Sequence, residues 1–118
     1  MTAPHLRALI ANERNDHLVL VAEPVDRLGH TVIAETTDVA SVAALTSEEY
    51  PDVALVGLGS SSDHALELIA QIVREAECPV IALLAGRDAH FINEAAKRGV
   101  FAYIVDGSAE DLQGALDI

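Results

Sequence analysis

Aromatic side chains, basic side chains and cysteine are all scarce in this sequence, and each scarcity removes a class of explanation. There is no Trp, and Phe and Tyr supply two residues each, yet 51% of the 118 residues are hydrophobic. A core must therefore be built from Val, Ile, Leu and Ala, which suits buried parallel strands covered by alanine-bearing helices. Seven Lys and Arg stand against nineteen Asp and Glu, a formal charge of −12. Such a surface repels phosphate backbones and anionic lipid, so direct nucleic-acid or membrane binding by these residues is not expected. The simplest role of the acidity is solubility. A single cysteine, Cys78, cannot close an internal disulfide, which fits a reducing cytoplasm, and it reads as a buried, inert thiol beside a strand. No apolar run reaches the roughly 18 residues a membrane helix needs. The N-terminus enters a strand within a few residues, so no signal peptide is expected.

What is present is a strict alternation of two periodicities. Residues 6–11 (LRALIA) form a short apolar run, and residues 14–28 carry Leu18, Val21, Ala22, Val25 and Leu28 at helical spacing, stopped by Gly29. Residues 31–35 (TVIAE) read as a second strand. Asp38 can cap a helix running to Glu49 with Val39, Val42, Ala43 and Leu45 inward. Pro51 and Asp52 lead into the most apolar strand, residues 53–56, ending at Gly57. After a glycine- and serine-rich loop, Asp63 can cap a helix bearing Ala65, Leu66, Leu68, Ile69, Ile72 and Val73. Residues 79–84 (PVIALL) form a fourth buried strand. Asp88 opens a helix through Phe91, Ile92, Ala95 and Ala96, with Lys97 and Arg98 in its last turn and Gly99 as its stop. Residues 101–105 are the fifth strand, and Ser108 or Asp111 begins a helix still running at Ile118.

Five β-α units without a repeat, linker or low-complexity stretch imply one α/β domain over residues 1–118. The expected architecture is a flavodoxin-like, doubly wound parallel sheet of order 2-1-3-4-5, with helices on both faces. Its ligand crevice lies at the carboxyl ends of the central strands, where the strand order reverses. Asn12, Glu13, Gly57, Gly59 and the residues after Leu83 would floor it.

Within that frame the phrases PDVALVG (residues 51–57), PVIALLA (79–85), RGVFAYIVDG (98–107) and IANER (10–14) resemble the strands of response-regulator receiver domains. The resemblance spans nearly the whole chain. It implies an acidic pair for Mg²⁺ after strand one, a phosphate-accepting Asp after strand three, and a Thr or Ser after strand four. It also implies a switching aromatic in strand five and a Lys after it. Here those positions hold Asn12 and Glu13, Gly57, Leu84, Asp106 and Tyr103, so only the aromatic matches. Gly57 has no carboxylate to phosphorylate, Leu84 offers no hydroxyl, and Asp106 puts an anion where a cation would steady phosphoryl oxygens. Glu13 alone is a poor Mg²⁺ site. The expectation is a degenerate receiver, not an enzyme, with no cofactor and no metal.

Other chemistry is weaker still. Asp52 starts its strand at the wrong end of the sheet to replace the acceptor. Ser60, Ser61 and Ser62 read as a polar loop leading to a helix rather than kinase targets. Glu13 with Asp106 could share a cation, but such acids more often face solvent or cap helices. His5, His17, His30, His64 and His90 have no common metal spacing and read as surface residues. His64 beside Asp63 lacks the G-x-S-x-G elbow of hydrolases. Gly57-Leu58-Gly59 lacks the third glycine of a dinucleotide loop and follows the wrong strand. The D-x-H-x-x-G motif of cobalamin domains does not occur.

Receivers signal through helix four, strand five and helix five. Phe101 and Tyr103, two apart on strand five, share a face directed towards helix four with Phe91 expected nearby, so that surface is a candidate for a protein partner or a second copy, with packing against the chain's own helix four as the alternative. The FAYIV phrase (residues 101–105) also resembles the receiver halves of ANTAR-type regulators, which bind RNA and promote transcription antitermination. That resemblance implies a helical output module after the fifth helix, which here is expected to be truncated, with the module absent. The leading expectation is thus a cytoplasmic, phosphorylation-independent receiver that docks a partner or dimerises. The alternative is a small-molecule sensor using a crevice made more apolar by Leu84.

Overall fold

In the computed structural model, which describes residues 5–58, 63–84 and 89–105, five parallel strands form one sheet of order β2-β1-β3-β4-β5. In chain order these are β1 (Arg7–Asn12), α1 (Asn15–Arg27), β2 (Thr31–Thr36), α2 (Val42–Glu49), β3 (Val53–Gly57), α3 (Asp63–Glu75), β4 (Val80–Leu84), α4 (Ala89–Ala96) and β5 (Ala102–Val105). The expected flavodoxin-like order is therefore correct. The expected fifth helix, the Asp88 helix start and Asp106 lie outside the described residues.

The alternation of side chains along the strands separates two cores. Ala8 and Ile10 of β1, Val53 and Leu55 of β3, Ile81 and Ile104 face Leu18 and Val25 of α1. Leu9, Ala11, Ala54 and Val56 face the opposite side, against Val39, Val42 and Ile72, and Ala82 and Leu84 continue that layer against α3 and α4. Every residue of β3 is buried, as its unbroken apolar run requires of a central strand covered on both faces. Gly29 and Gly99 end α1 and the α4 turn with φ of +93° and +91°, a conformation that a β-carbon disfavours.

Several local expectations need correction. Asp38 precedes a short 3₁₀ turn (Val39–Ser41) but makes no side-chain cap; the Ser41 hydroxyl instead donates to the Asp38 carbonyl at 2.7 Å. Asp63 is the first helical residue of α3, so its charge favours the helix dipole from inside the first turn. Lys97 and Arg98 fall just past α4, where Arg98 donates to the Glu94 carbonyl at 3.0 Å and to its carboxylate at 2.8 Å. That hydrogen bond, helped by Lys97, holds the Glu94 carboxyl below its ordinary range. In α2, Val42 is buried as expected, Ala43 and Leu45 are only half-buried, and the other fully buried residue is Thr46. Its hydroxyl donates to the Ala43 carbonyl at 2.7 Å and accepts the Glu77 N–H at 3.1 Å, tying α2 to the turn before β4.

His30 is not a surface residue. It is 8% exposed, and its Nδ1 accepts the Leu6 N–H at 3.1 Å, closing the backbone where β1 and β2 begin. Cys78 is half-buried, and burial, reinforced by the nearby Asp52 charge, pushes its thiol up to about 11. Asp52 lies at the amino end of the sheet, accepting the Arg7 N–H at 2.8 Å. The Arg7 guanidinium in turn donates to the carbonyls of Tyr50 (2.8 Å) and Glu49 (3.0 Å) at the end of α2, where a cation suits the helix dipole.

Candidate functional site

The carboxyl ends of β1, β3 and β4 lie side by side, as the strand order requires. Asn12 is in register with Gly57, Gly57 with Leu83, and Leu84 with Val105. Three of the positions singled out in the sequence, Asn12, Gly57 and Leu84, thus gather at one end of the sheet. Glu13 joins them through its N–H, which donates to the Gly57 carbonyl at 3.2 Å. Asp106, Gly59 and Ser60 to Ser62 lie outside the described residues, and the Glu13–Asp106 pairing falls outside them too. Among the described residues, no three His, Cys, Asp or Glu side chains are grouped to hold a metal ion.

The decisive feature is how Asn12 and Gly57 fit together. Asn12 is only 4% exposed, and its Oδ1 accepts the Arg14 N–H at 3.0 Å, which fixes the side chain across the end of β3. A β-carbon built on Gly57 would overlap the Asn12 amide nitrogen outright and lie 3.0 Å from Asn12 Cγ and 3.5 Å from Leu83 Cβ. Real β-carbons essentially never approach so closely. The Asn12 amide therefore occupies the space into which any side chain at position 57 would grow. The sequence displays both residues, but not that one fills the space the other leaves; the pairing of a glycine with a short amide across adjacent strand ends is the signal that could have suggested it.

Leu84 does not line the crevice. It is 6% exposed and packs with Ala65, Leu66, Ile69, Phe91 and Ala95 between β4, α3 and α4. The end of β4 is thereby joined to the hydrophobic layer beneath it, so Leu84 faces the core instead of forming the apolar pocket wall expected of it. The same layer claims Phe91, which is 4% exposed and so does not belong to the interaction surface proposed for it from sequence. An aromatic residue at helical spacing with Ala95 packs inward because both fall on the one apolar stripe of α4.

Phe101 and Tyr103 behave differently. They remain 52% and 46% exposed on the sheet edge, while Ala102 and Ile104, alternating with them, turn to the α1 side. Tyr103 stands in register with Ala82 of β4. The two aromatics share one face, as their period-two spacing implied, and that face is an exposed apolar surface at β5.

No protein-family model and no curated protein matches the sequence. Solved structures do. The chain is similar to the signal receiver domain of a modulated diguanylate cyclase from Desulfovibrio desulfuricans G20, with 19% identity, TM-score 0.77, and coverage of 96% of this chain and 91% of that one. A DNA-binding response regulator of the LuxR family from Staphylococcus aureus matches with 20% identity and TM-score 0.77, over 94% and 95% of the two chains. The response regulator domain of Thermotoga maritima CheB matches with 18% identity and TM-score 0.76, over 98% of each. With the strand order and the layered helices already described, these likenesses identify the fold of this chain as that of the response-regulator receiver domains.

Proposed function

We propose that this chain is a degenerate receiver domain that signals by contact rather than by phosphorylation. The observation that carries the reading is the packing of Asn12 against Gly57. The acceptor position has no carboxylate, the Asn12 amide fills the space where a side chain there would begin, and the hydroxyl position is a leucine committed to the core. Asp106 adds a carboxylate in the sequence where the receiver pattern has a lysine. Phosphoryl transfer needs a nucleophile, a metal to neutralise charge and a cation to hold oxygens, and each requirement fails at a different residue. The domain works in the cytoplasm without catalysis of its own.

Output then depends on surfaces. Phe101 and Tyr103 present exposed aromatic area on an edge strand, the kind of side chain that dominates protein interfaces. In this reading they dock a protein partner or a second copy through the β5 edge and the adjoining helices. The contact orients an output module, of the RNA-binding antitermination type that the strand-five phrase resembles.

The test is a titration with Mg²⁺ and then beryllofluoride, followed by backbone amide shifts. Beryllofluoride mimics a phosphoryl group only when a carboxylate receives it. The expected result is no saturable response at Asn12, Gly57, Leu84 or Tyr103. A saturable, Mg²⁺-dependent shift at those amides would show a working acceptor and end the proposal.

A further inference from the structure

The sheet has a second edge, and its surface is the chemical opposite of β5. Between α1 and β2 lies a groove of about 390 Å³. Val19, Ala22 and Val32 give it aliphatic lining, Glu23, Asp26 and Glu35 give it acidic lining, and Thr31 completes it. Residues 19, 22, 23 and 26 fall at i, i+3, i+4 and i+7, so one helical stripe supplies one wall. The opposite wall depends on an irregularity in β2. Ala8 is in register with Val32 but Leu9 with Ala34, so β2 carries one extra residue, Ile33. Bulges of this kind re-aim side chains on edge strands. Here the extra residue brings Glu35, in register with Ile10, to the α1 side together with Val32. Without it, strict alternation would send Glu35 towards α2.

The chemistry selects the occupant. Val19 is 56% exposed and its neighbour Leu20 is 67% exposed, so α1 presents aliphatic surface to solvent beside the groove. Glu23 pairs with Arg27, but Asp26 and Glu35 form no ion pair among the described residues. A second copy would bring the same acids face to face, and nucleic acid or anionic lipid would meet a chain of charge −12. We propose that this groove docks a basic, amphipathic segment of a partner protein. An aliphatic side chain of that segment sits on Val19, Ala22 and Val32, while its Lys or Arg residues lie over Asp26 and Glu35. The domain is then a two-edged adaptor, with apolar contact at β5 and charge-selected contact at β2.

The test uses the full chain, labelled for amide shifts, and the synthetic peptide LKKLLKKLLKKL as probe. A second peptide with each Leu replaced by Ser keeps the charge and removes the apolar contact. The expected result is saturable shifts concentrated in residues 19–35. Affinity should fall at least about tenfold, the equivalent of ~1.4 kcal/mol, for the serine peptide and for Asp26→Lys with Glu35→Lys. Reversals of the same charge at exposed Glu48 and Glu67 should leave affinity within about twofold, which separates a groove from general attraction. Shifts spread over the acidic surface, equal affinity for the two peptides, or no saturation at millimolar peptide would overturn the proposal. Concentration-dependent shifts at the same amides without peptide would assign the groove to a second copy, and would overturn it too.

Discussion

Putting a side chain back at Gly57 is the most direct probe of the crevice. Gly57→Ala adds a single methyl group in a β-strand, and the backbone there does not need glycine, since among the described residues the positive-φ glycines are Gly29 and Gly99. Reduced freedom of the unfolded chain would by itself stabilise the variant by about 0.4–1 kcal/mol. Packing opposes it. The new β-carbon overlaps the Asn12 amide, which is buried and held by Arg14, so relief requires Asn12 to give up that hydrogen bond or the strand ends to part. Overpacking of this kind costs about 1–3 kcal/mol, so a net loss of ~1–2 kcal/mol is expected. Asn12→Ala should cost ~1 kcal/mol through the lost bond to Arg14. The double variant is the discriminating one, because shortening the side chain at position 12 vacates the space that a β-carbon at position 57 needs. Its loss should fall short of the sum of the single losses by about 1 kcal/mol or more, read as urea midpoints at constant slope. Additivity within ~0.3–0.5 kcal/mol would mean that Asn12 does not fill the site, and the steric part of the argument would be refuted. Gly57→Asp should destabilise more than Gly57→Ala and still give no beryllofluoride response, since Leu84 and Asp106 remain.

Four further outcomes are expected. Phe91→Ala should cost about 3–5 kcal/mol, as for a buried aromatic, whereas Phe101→Glu with Tyr103→Glu should change stability by ~1 kcal/mol or less while removing self-association or partner capture; comparable losses would mean the β5 aromatics are core. Thr46→Val should lose ~1–2 kcal/mol by orphaning the Glu77 N–H despite matching shape, and Thr46→Ser should lose less of that bond energy, a contrast read by thermal unfolding. Cys78, with its thiol pushed up to about 11, should alkylate at pH 8 roughly 100-fold more slowly than in the denatured chain, with the rate still climbing above pH 9; a plateau near pH 9 would show an ordinary thiol. Glu94, held ionised by Arg98 and Lys97, contributes stability above its unfolded range that is lost as pH falls through its lowered folded value, so Glu94→Gln should flatten the acid limb of the stability profile, and an unchanged limb would remove that role.

The fold was legible because its strands are bounded runs. Residues 53–57 and 80–84 are too apolar and too short for anything but strands covered on both faces, and the glycines at 29 and 99 stop helices for a backbone reason visible in sequence. What escaped reading were side chains whose role depends on a partner far along the chain. His30 looks like a polar residue in a turn, and only its meeting with the Leu6 N–H makes it structural. Thr46 is an ordinary helix residue until Glu77 reaches it. The extra residue in β2 was equally hidden, because TVIAE is apolar enough to satisfy a strand in either register, so alternation could not report the slip at Ile33. Phe91 shows the reverse error: an aromatic assigned to the surface by family resemblance, where helical spacing with Ala95 already pointed inward.

A packed crevice and a phosphorylation switch make opposite demands on the same residues. A switch holds several carboxylates and a lysine close together without neutralising them fully, and like charges so placed raise one another's pKa and cost stability. It also needs the end of strand four free enough to move when a phosphoryl group arrives, because a ligand shifts only an equilibrium whose two states are both accessible. This chain has a glycine filled by an amide at the first place and a leucine anchored among five core residues at the second. Moving Leu84 towards the crevice would strip it from Leu66, Ile69 and Phe91, at a cost on the order of 2 kcal/mol for a buried leucine that becomes exposed. With no carboxylate at position 57 to bind a phosphoryl group, nothing at the crevice offsets that cost. In the proposed reading one arrangement of β4 is therefore held at all times, and regulation passes to whatever binds at the two edges of the sheet.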